Sequence, residues 1–503
     1  MKITTVKNGA NTTSVTTTSL FEDAKNPPLA PPRRGAREAQ NPPPAPPWRG
    51  QGLVLLCWIM ALSSSSPLVG LSESIPSTPS PVKPHYEGRI RLDYDYRSEG
   101  GSKDSDLYGY WYGSGRDLAN GQFDFYASGR EHTDLDGSST YDGTFRSVDD
   151  AKGVTENRLL QAYGDIHDRN GRAKLRLGRQ YIDIADYLQL DGGQATLFEN
   201  GLLGGRVYFG VPVSYYTSVS GDLAGGASLV GRPWTGNQTR FTWTEYYDDS
   251  EGGNDQNYFV DLQQEVTDSM RTRAQLSVLN DEFRMARLDG SFFAPDGNTD
   301  LHVGGSRWGQ FDAKTRAYSP LYNQLGNQQP YTYLYSRLSY AFSPKWMLSP
   351  GISARFADSS DQGFSNRDYR DYDVTLVFEP SKALSSSLSL QYWDVDGGDS
   401  FLGLSGEVRY RHRRIWEVSV GSAYVDYTYQ SYSDISYSIN GGQTVFRQDG
   451  TVTEESPYTL TYFLRTKWNV TRKLILRLQG DIEDRKEAAD LSYRARGSVE
   501  VRF

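Results

Sequence analysis

The chain has 503 residues, a formal net charge of −9 and a mean hydropathy of −0.62. So low a hydropathy excludes a bundle of membrane-spanning helices, because each such helix needs about 20 consecutive apolar residues, and the acidic balance argues against binding to nucleic acid. The 35 tyrosines and 50 glycines favour an all-β protein. Cys57 is the only cysteine, which excludes an intrachain disulfide and a c-type haem attachment site in this chain.

Residues 1–50 are predicted to lie outside the folded part of the chain. The segment Asn26–Gly35 (NPPLAPPRRG) returns as Asn41–Gly50 (NPPPAPPWRG), and so much proline suits neither a helix nor a sheet. We interpret these residues as a disordered leader or as the product of a translation start placed too far upstream. A polyproline ligand for a partner domain is the other interpretation.

Residues 51–72 have the order of a secretory signal. The apolar run Leu53–Leu62 follows several arginines and precedes small residues. The run is too short to span a bilayer as a helix. We therefore expect cleavage near Ser72 and expect residues 73–85 to form an extended tether.

From residue 86 onward, apolar and polar residues alternate in long runs. Such runs occupy residues 90–97, 123–130, 174–178, 387–392, 402–411, 458–469, 473–482 and 491–503. A period of two places alternate side chains on opposite faces of a β-strand. One such run alone would suit a soluble sandwich equally well. Several runs, however, reach the length of about ten residues that a tilted membrane strand needs, whereas soluble strands average five or six.

The links between these runs differ in length. Short links occur at 168–172, 266–270, 342–346 and 469–473, and long links are predicted at 133–155, 218–237, 311–329, 358–370 and 430–456. Short turns at one end and long loops at the other are typical of outer-membrane barrels.

The chain ends on SVEVRF, in which the alternate residues Val499, Val501 and Phe503 are apolar. Together with the alternating runs, this ending resembles a Gram-negative outer-membrane β-barrel of the porin type, over roughly residues 86–503. The resemblance implies an all-β fold, a single closed antiparallel transmembrane β-barrel of roughly 18–22 strands. It also implies a place in the outer membrane of a Gram-negative bacterium, with outer-membrane lipid around the barrel. The terminal residues are similar to the signal that the barrel-assembly machinery reads.

The five histidines indicate no catalytic or metal site. No two of them have the spacing of a metal-binding pair, and none lies in a motif with a matching nucleophile. The acidic stretches Val148–Gly153 and Tyr246–Asn257 match no calcium-binding loop. We therefore expect no enzymatic activity, no cofactor and no bound metal.

Charged residues occupy the polar faces of the predicted strands. The predicted pore-lining residues are Arg409, Arg411, Arg465, Lys467, Arg477, Arg494, Arg496, Asp93 and Asp95. Because the first and last strands of a closed barrel pair, we expect the two aspartates to face the arginines of the last strand. Two interpretations stay open: a ladder of ion pairs that stiffens the wall, or a basic part of the lumen that sets ion selectivity.

These features predict a channel for passive diffusion of small hydrophilic or ionic solutes. The alternative is a sleeve that encloses a multihaem cytochrome in an outer-membrane electron conduit. The sequence leaves open the solute, the presence of such a partner and the association of several copies into a homo-oligomer.

Overall fold

The computed structural model describes residues 83–136, 155–168, 170–183, 187–199, 201–214, 220–249, 252–311, 330–358, 367–396, 398–413, 415–432, 435–440, 443–448, 452–455, 458–486 and 491–503. The predicted leader and signal lie outside these residues, as does all of the tether except its end at 83–85. Within them, no helix has the length and apolar character that a membrane crossing requires.

Almost every regular element is a β-strand; the exception is one helical turn, α1 (Leu118–Gly121). The strands are β1 (His85–Glu99), β2 (Ser102–Asp117), β3 (Phe123–Asp134), β4 (Thr155–His167), β5 (Ala173–Asp183), β6 (Tyr187–Leu197), β7 (Leu203–Pro212), β8 (Leu223–Gly231), β9 (Asn237–Asp248), β10 (Gly253–Thr267), β11 (Met270–Leu279), β12 (Glu282–Phe293), β13 (Thr299–Trp308), β14 (Tyr331–Ser343), β15 (Trp346–Ala357), β16 (Tyr369–Ser381), β17 (Leu384–Val395), β18 (Ser400–His412), β19 (Trp416–Tyr432), β20 (Ile435–Asn440), β21 (Gln443–Gln448), β22 (Val452–Glu455), β23 (Tyr458–Asn469), β24 (Leu474–Arg485) and β25 (Ser492–Arg502).

The strands form one closed antiparallel barrel of 22 strands, the fold that the sequence predicts. Strands β1 to β19 pair in chain order, β19 pairs with β23, and β23 to β25 complete the wall. Strand β25 pairs back with β1, which closes the barrel. The other three strands belong to the segment between β19 and β23, where β22 pairs with the end of β19 and β20 pairs with β21.

The two ends of the barrel differ in their links. We call the end where β1 begins and β25 finishes the termini end, and the opposite end the loop end. Links at the termini end are at most five residues long, whereas the loop end carries segments as long as 309–330 and 433–457. The predicted alternation of short turns and long loops is therefore confirmed.

One predicted long link, residues 218–237, is wrong because it contains the wall strand β8. The predicted link 430–456 also contains strands, β20 to β22, but these are not among the 22 strands of the wall. Glycine and alanine dominate this strand, so it lacks the large alternating residues that mark its neighbours. A Cβ atom on Gly226 would lie 2.4 Å from the backbone oxygen of Trp243 on β9 and 2.6 Å from the hydroxyl oxygen of Tyr208 on β7. Small residues make room for Tyr208 and at the same time remove the sequence signal of a strand.

The wall has an apolar outer face and a polar inner face, and β24 shows the division. Leu478 and Ile482 are 63% and 44% exposed on the outer face. Arg477, Gln479 and Asp481 alternate with them and point inward, where they bond to one another or to neighbouring strands. An apolar outer belt is what hydrocarbon requires of a barrel wall.

We expect Leu478→Arg to lower the free energy of unfolding by about 2–4 kcal/mol, because it places a charge in hydrocarbon near the middle of the strand. The matched control is Gln479→Arg, which adds the same side chain one residue further on but facing inward, beside Asp481. Urea titration of folded protein in lipid vesicles measures both. Equal losses of stability would contradict the assignment of the two faces.

Candidate functional site

The seam between β1 and β25 joins charged residues on the inner wall. The buried carboxylate of Asp95 accepts two hydrogen bonds from Arg494, with Nε–Oδ1 3.0 Å and Nη2–Oδ2 2.6 Å. It also accepts one from Arg496 Nε at 3.0 Å, and Arg97 Nη2 lies 3.3 Å away. One carboxylate is thus shared by three guanidinium groups.

Asp93, expected beside the same arginines, lies elsewhere. The register of the seam pairs Asp95 with Arg496 and places Ser498 opposite Asp93. Asp93 instead pairs with Arg91 of its own strand, with 2.9 Å between Nη2 and Oδ2. Alternation gave the face of Asp93 correctly, but the register of two distant strands decided its neighbour.

A second cluster lies nearer the termini end of the same wall. Glu500 is 2% exposed, and its Oε2 accepts a hydrogen bond from Arg477 Nη2 at 2.9 Å. Its Oε1 accepts another from Arg502 Nε at 2.5 Å. Again one carboxylate is shared, here by two guanidinium groups.

Strands β18, β19 and β23 carry the remaining predicted pore-lining residues. Arg409 Nη2 lies 2.8 Å from Glu407, and Arg411 Nε lies 2.9 Å from Glu417. Arg465 is 3.8 Å from Glu407, and its guanidinium also lies over the Phe463 ring at 4.1 Å. Sequence reasoning missed Glu417, although it alternates with outward residues of β19 as Glu407 does in β18.

Lys467 differs from these arginines. It is exposed, and its ammonium group has no ion-pair partner among the residues that the structure describes. Its neighbours across the strands are Glu417 on β19 and Arg477 on β24. Lys467 is therefore a basic group of this wall that is open to a passing ion.

We call the inner wall of β18, β19, β23, β24, β25 and β1 the basic sector. Its carboxylates bridge neighbouring strands, as a stiffening ladder would. Asp95 and Glu500 are each also shared by more than one guanidinium, as a positive lumen would require. The two interpretations that the sequence left open are therefore compatible in one arrangement.

Two histidines have partners that sequence spacing concealed. His132 Nε2 lies 2.6 Å from Asp106 on β2, with both side chains buried. His302 Nδ1 lies 2.9 Å from the Ser291 hydroxyl on the adjacent strand, and its Nε2 is 3.1 Å from Asp300. The described residues contain no group of three or more ligands placed to hold a metal ion. The absence of enzymatic activity stays a prediction.

The C-terminal residues lie at the seam on the outer face. Val499 and Val501 are each 43% exposed, and Phe503 is 66% exposed. The backbone of Phe503 exchanges two hydrogen bonds of 3.0 Å with that of Gly88. Recognition of Val499, Val501 and Phe503 by the assembly machinery stays a prediction, but the geometry shows that Phe503 extends the closure to the end of the chain.

A closed wall that is apolar outside and charged inside defines a transmembrane β-barrel. No family model and no curated protein matches the sequence. Among solved structures, Pseudomonas aeruginosa OpdK with vanillate aligns at a TM-score of 0.40 and 10% identity, over 83% of this chain and 98% of that chain.

Two further porin structures give similar values. Pseudomonas aeruginosa OccK2 (OpdF) in complex with glucuronate aligns at a TM-score of 0.40 and 10% identity, over 84% of this chain and 98% of that chain. Acinetobacter baumannii OccAB4 aligns at a TM-score of 0.39 and 10% identity, over 85% of this chain and 100% of that chain. Similarity this low does not transfer location or solute, so the barrel assignment rests on the strand pairing of this chain itself.

We expect Gly88→Ala to lower the free energy of unfolding by about 1 kcal/mol or less, because the added methyl group must displace the exposed ring of Phe503. A Cβ atom there would lie 2.1 Å from Cε2 of Phe503. Gly113 pairs with Gly88 on β2 and has no atom within 4 Å of such a Cβ, so Gly113→Ala is the matched control and should be nearly neutral. Urea unfolding in vesicles compares the two, and a neutral Gly88→Ala would show that the Phe503 ring does not cover the seam.

Proposed function

We propose that the protein is an outer-membrane channel for passive diffusion of small hydrophilic or ionic solutes. The observation that carries this proposal is the closed wall of 22 strands with a charged inner face. Every described strand except β20, β21 and β22 belongs to the wall, so the described residues include no separate folded domain that could fill the barrel. Barrels of about 22 strands commonly hold a plug, so the polar inner face and the lack of a filling domain among the described residues are what support a water-filled path.

The outer membrane of a Gram-negative bacterium is the proposed location. The short turns gather at the termini end and the long segments at the loop end, which is the arrangement of outer-membrane barrels with periplasmic turns and external loops. The aromatic C-terminus at the termini end supports the same orientation, with that end facing the periplasm.

The basic sector supports a mild preference for anions. Asp95 and Glu500 are each shared by more than one guanidinium group, and charged groups lining a pore set ion selectivity. Salt limits the reach of this field to about 10 Å at 0.1 M, so the preference is strongest in dilute electrolyte. Among the described residues, no observation favours the alternative of a sleeve around a multihaem cytochrome.

The test is the reversal potential of the purified protein in a planar bilayer with a potassium chloride gradient. We expect anion preference at low salt, weakened when Arg465, Lys467 and Arg477 are changed together to Gln. Because Arg477 also partners the buried Glu500, Lys467→Gln alone is the cleaner variant. Its matched control is Lys473→Gln, which removes the same charge at an exposed turn of the termini end.

Two outcomes would contradict the proposal at different levels. A cation-selective wild-type channel would overturn the basic sector as the source of selectivity. A protein without conductance would overturn the diffusion channel itself, and an absorption spectrum showing co-purified haem would then favour the sleeve.

A further inference from the structure

Aromatic side chains line the inner wall of a different part of the barrel. They lie at the loop end of strands β13 to β19. They alternate along these strands with outward-facing residues such as Leu402 and Tyr392, so the rings face the lumen. We call this set the aromatic arc: Trp308, Tyr331, Tyr369, Trp393, Phe401 and Tyr427.

Neighbouring rings of the arc contact one another across the strands. The centroids of Trp308 and Tyr331 are 6.2 Å apart with an interplanar angle of 19°. Those of Tyr369 and Trp393 are 5.8 Å apart at 16°. Trp393 lies 5.3 Å from Phe401, which makes an edge contact with Tyr427 at 5.0 Å. The rings therefore form two contacting groups near the loop end, with stacked pairs at Trp308–Tyr331 and Tyr369–Trp393 and tilted or edge contacts at Phe401.

Arg355 joins the two groups. Its guanidinium lies over the Tyr331 ring at 4.4 Å, and its register partner on the next strand is Tyr369. Guanidinium planes stack on aromatic faces. Arg355 and the six rings thus lie on neighbouring strands from β13 to β19.

The charges around the arc are mostly paired one to one, unlike those of the basic sector. Arg337 Nη2 lies 2.7 Å from Asp373, and Arg367 pairs with Asp399. Asp371 accepts a hydrogen bond from the Gln391 amide at 3.1 Å. This part of the wall offers donors and acceptors with little net charge.

We propose that the aromatic arc is a binding site for uncharged carbohydrates that enter the channel from the loop end. This inference rests on the proposed channel function and names a solute class for it. One face of a pyranose ring carries C–H groups, which pack on the electron-rich face of Tyr or Trp. Its hydroxyl groups need donors and acceptors, which the paired carboxylates, guanidiniums and amides supply.

An alternative role for the rings is cross-strand packing that only stabilises the sheet. That role does not require partly exposed rings on neighbouring strands to lie together on the lumen-facing side. Trp308, Tyr331, Tyr369 and Trp393 are all partly exposed there. Apolar ring surface left in water favours an apolar partner, and the paired charges favour a neutral partner over an ion.

The test is block of the channel current by cellotriose in planar bilayers, with sodium benzoate as the comparison solute. We expect cellotriose to interrupt the current with a saturating concentration dependence. Trp393→Leu and Tyr369→Leu should each raise the half-saturating concentration by about five- to tenfold, because each removes a stacking face. The matched control is Trp468→Leu, whose ring is 50% exposed on the outer face and whose loss should leave the block unchanged.

Folding of each variant is checked by its heat-modifiable migration in electrophoresis. If the protein conducts but cellotriose neither blocks the current nor binds in equilibrium dialysis, the inference fails while the channel function stands. If the protein does not conduct, the channel function fails, and dialysis of radiolabelled cellotriose against wild type and Tyr369→Leu still decides the site. Block by benzoate alone, or equal block of the arc variants and wild type, would overturn the proposal.

Discussion

Backbone N–H and C=O groups inside hydrocarbon have no water to bond, so each must find a partner in the protein. Closure between β1 and β25 meets this demand by pairing the two strands that would otherwise be edges. Asp95 ties the inner face of the seam to Arg494 and Arg496, and Phe503 pairs with Gly88 at its end. A slip of one residue would turn these arginines toward lipid, so the seam has one acceptable register.

Closure also fixes what the two faces can do. The outer face carries apolar side chains around the barrel, whereas the inner face is divided into parts of different chemistry. In the basic sector, Asp95 and Glu500 are each shared by two or more guanidinium groups. At the aromatic arc, pairs such as Arg337 and Asp373 balance, and stacked rings supply the surface. A solute in the lumen would contact two different parts of the inner wall: the charged residues of the basic sector and the aromatic rings of the arc.

Small residues show how neighbouring strands shape one another. Gly226 leaves space for the Tyr208 ring, and Gly88 leaves space for the ring of Phe503. At both places the sequence pattern of a strand weakens because a neighbour supplies the bulk. This explains why the long runs of β24 and β25 could be predicted from the sequence while β8 could not.

The sequence by itself determined the all-β class, the two faces of the strands whose alternation it shows and the short turns, because a period of two follows from the pleat of a single strand. The face of Arg477 and the apolar ending at Phe503 are examples. Only the tertiary structure decided the number of strands and the partners of each side chain. Ser498 opposite Asp93, Glu417 beside Arg411, and the stacked rings of β13 to β19 all depend on register between strands. Alternation predicts which face of the sheet a side chain occupies, but not which side chain of the adjacent strand it contacts. That contact depends on the register between strands, which closure of the whole wall sets.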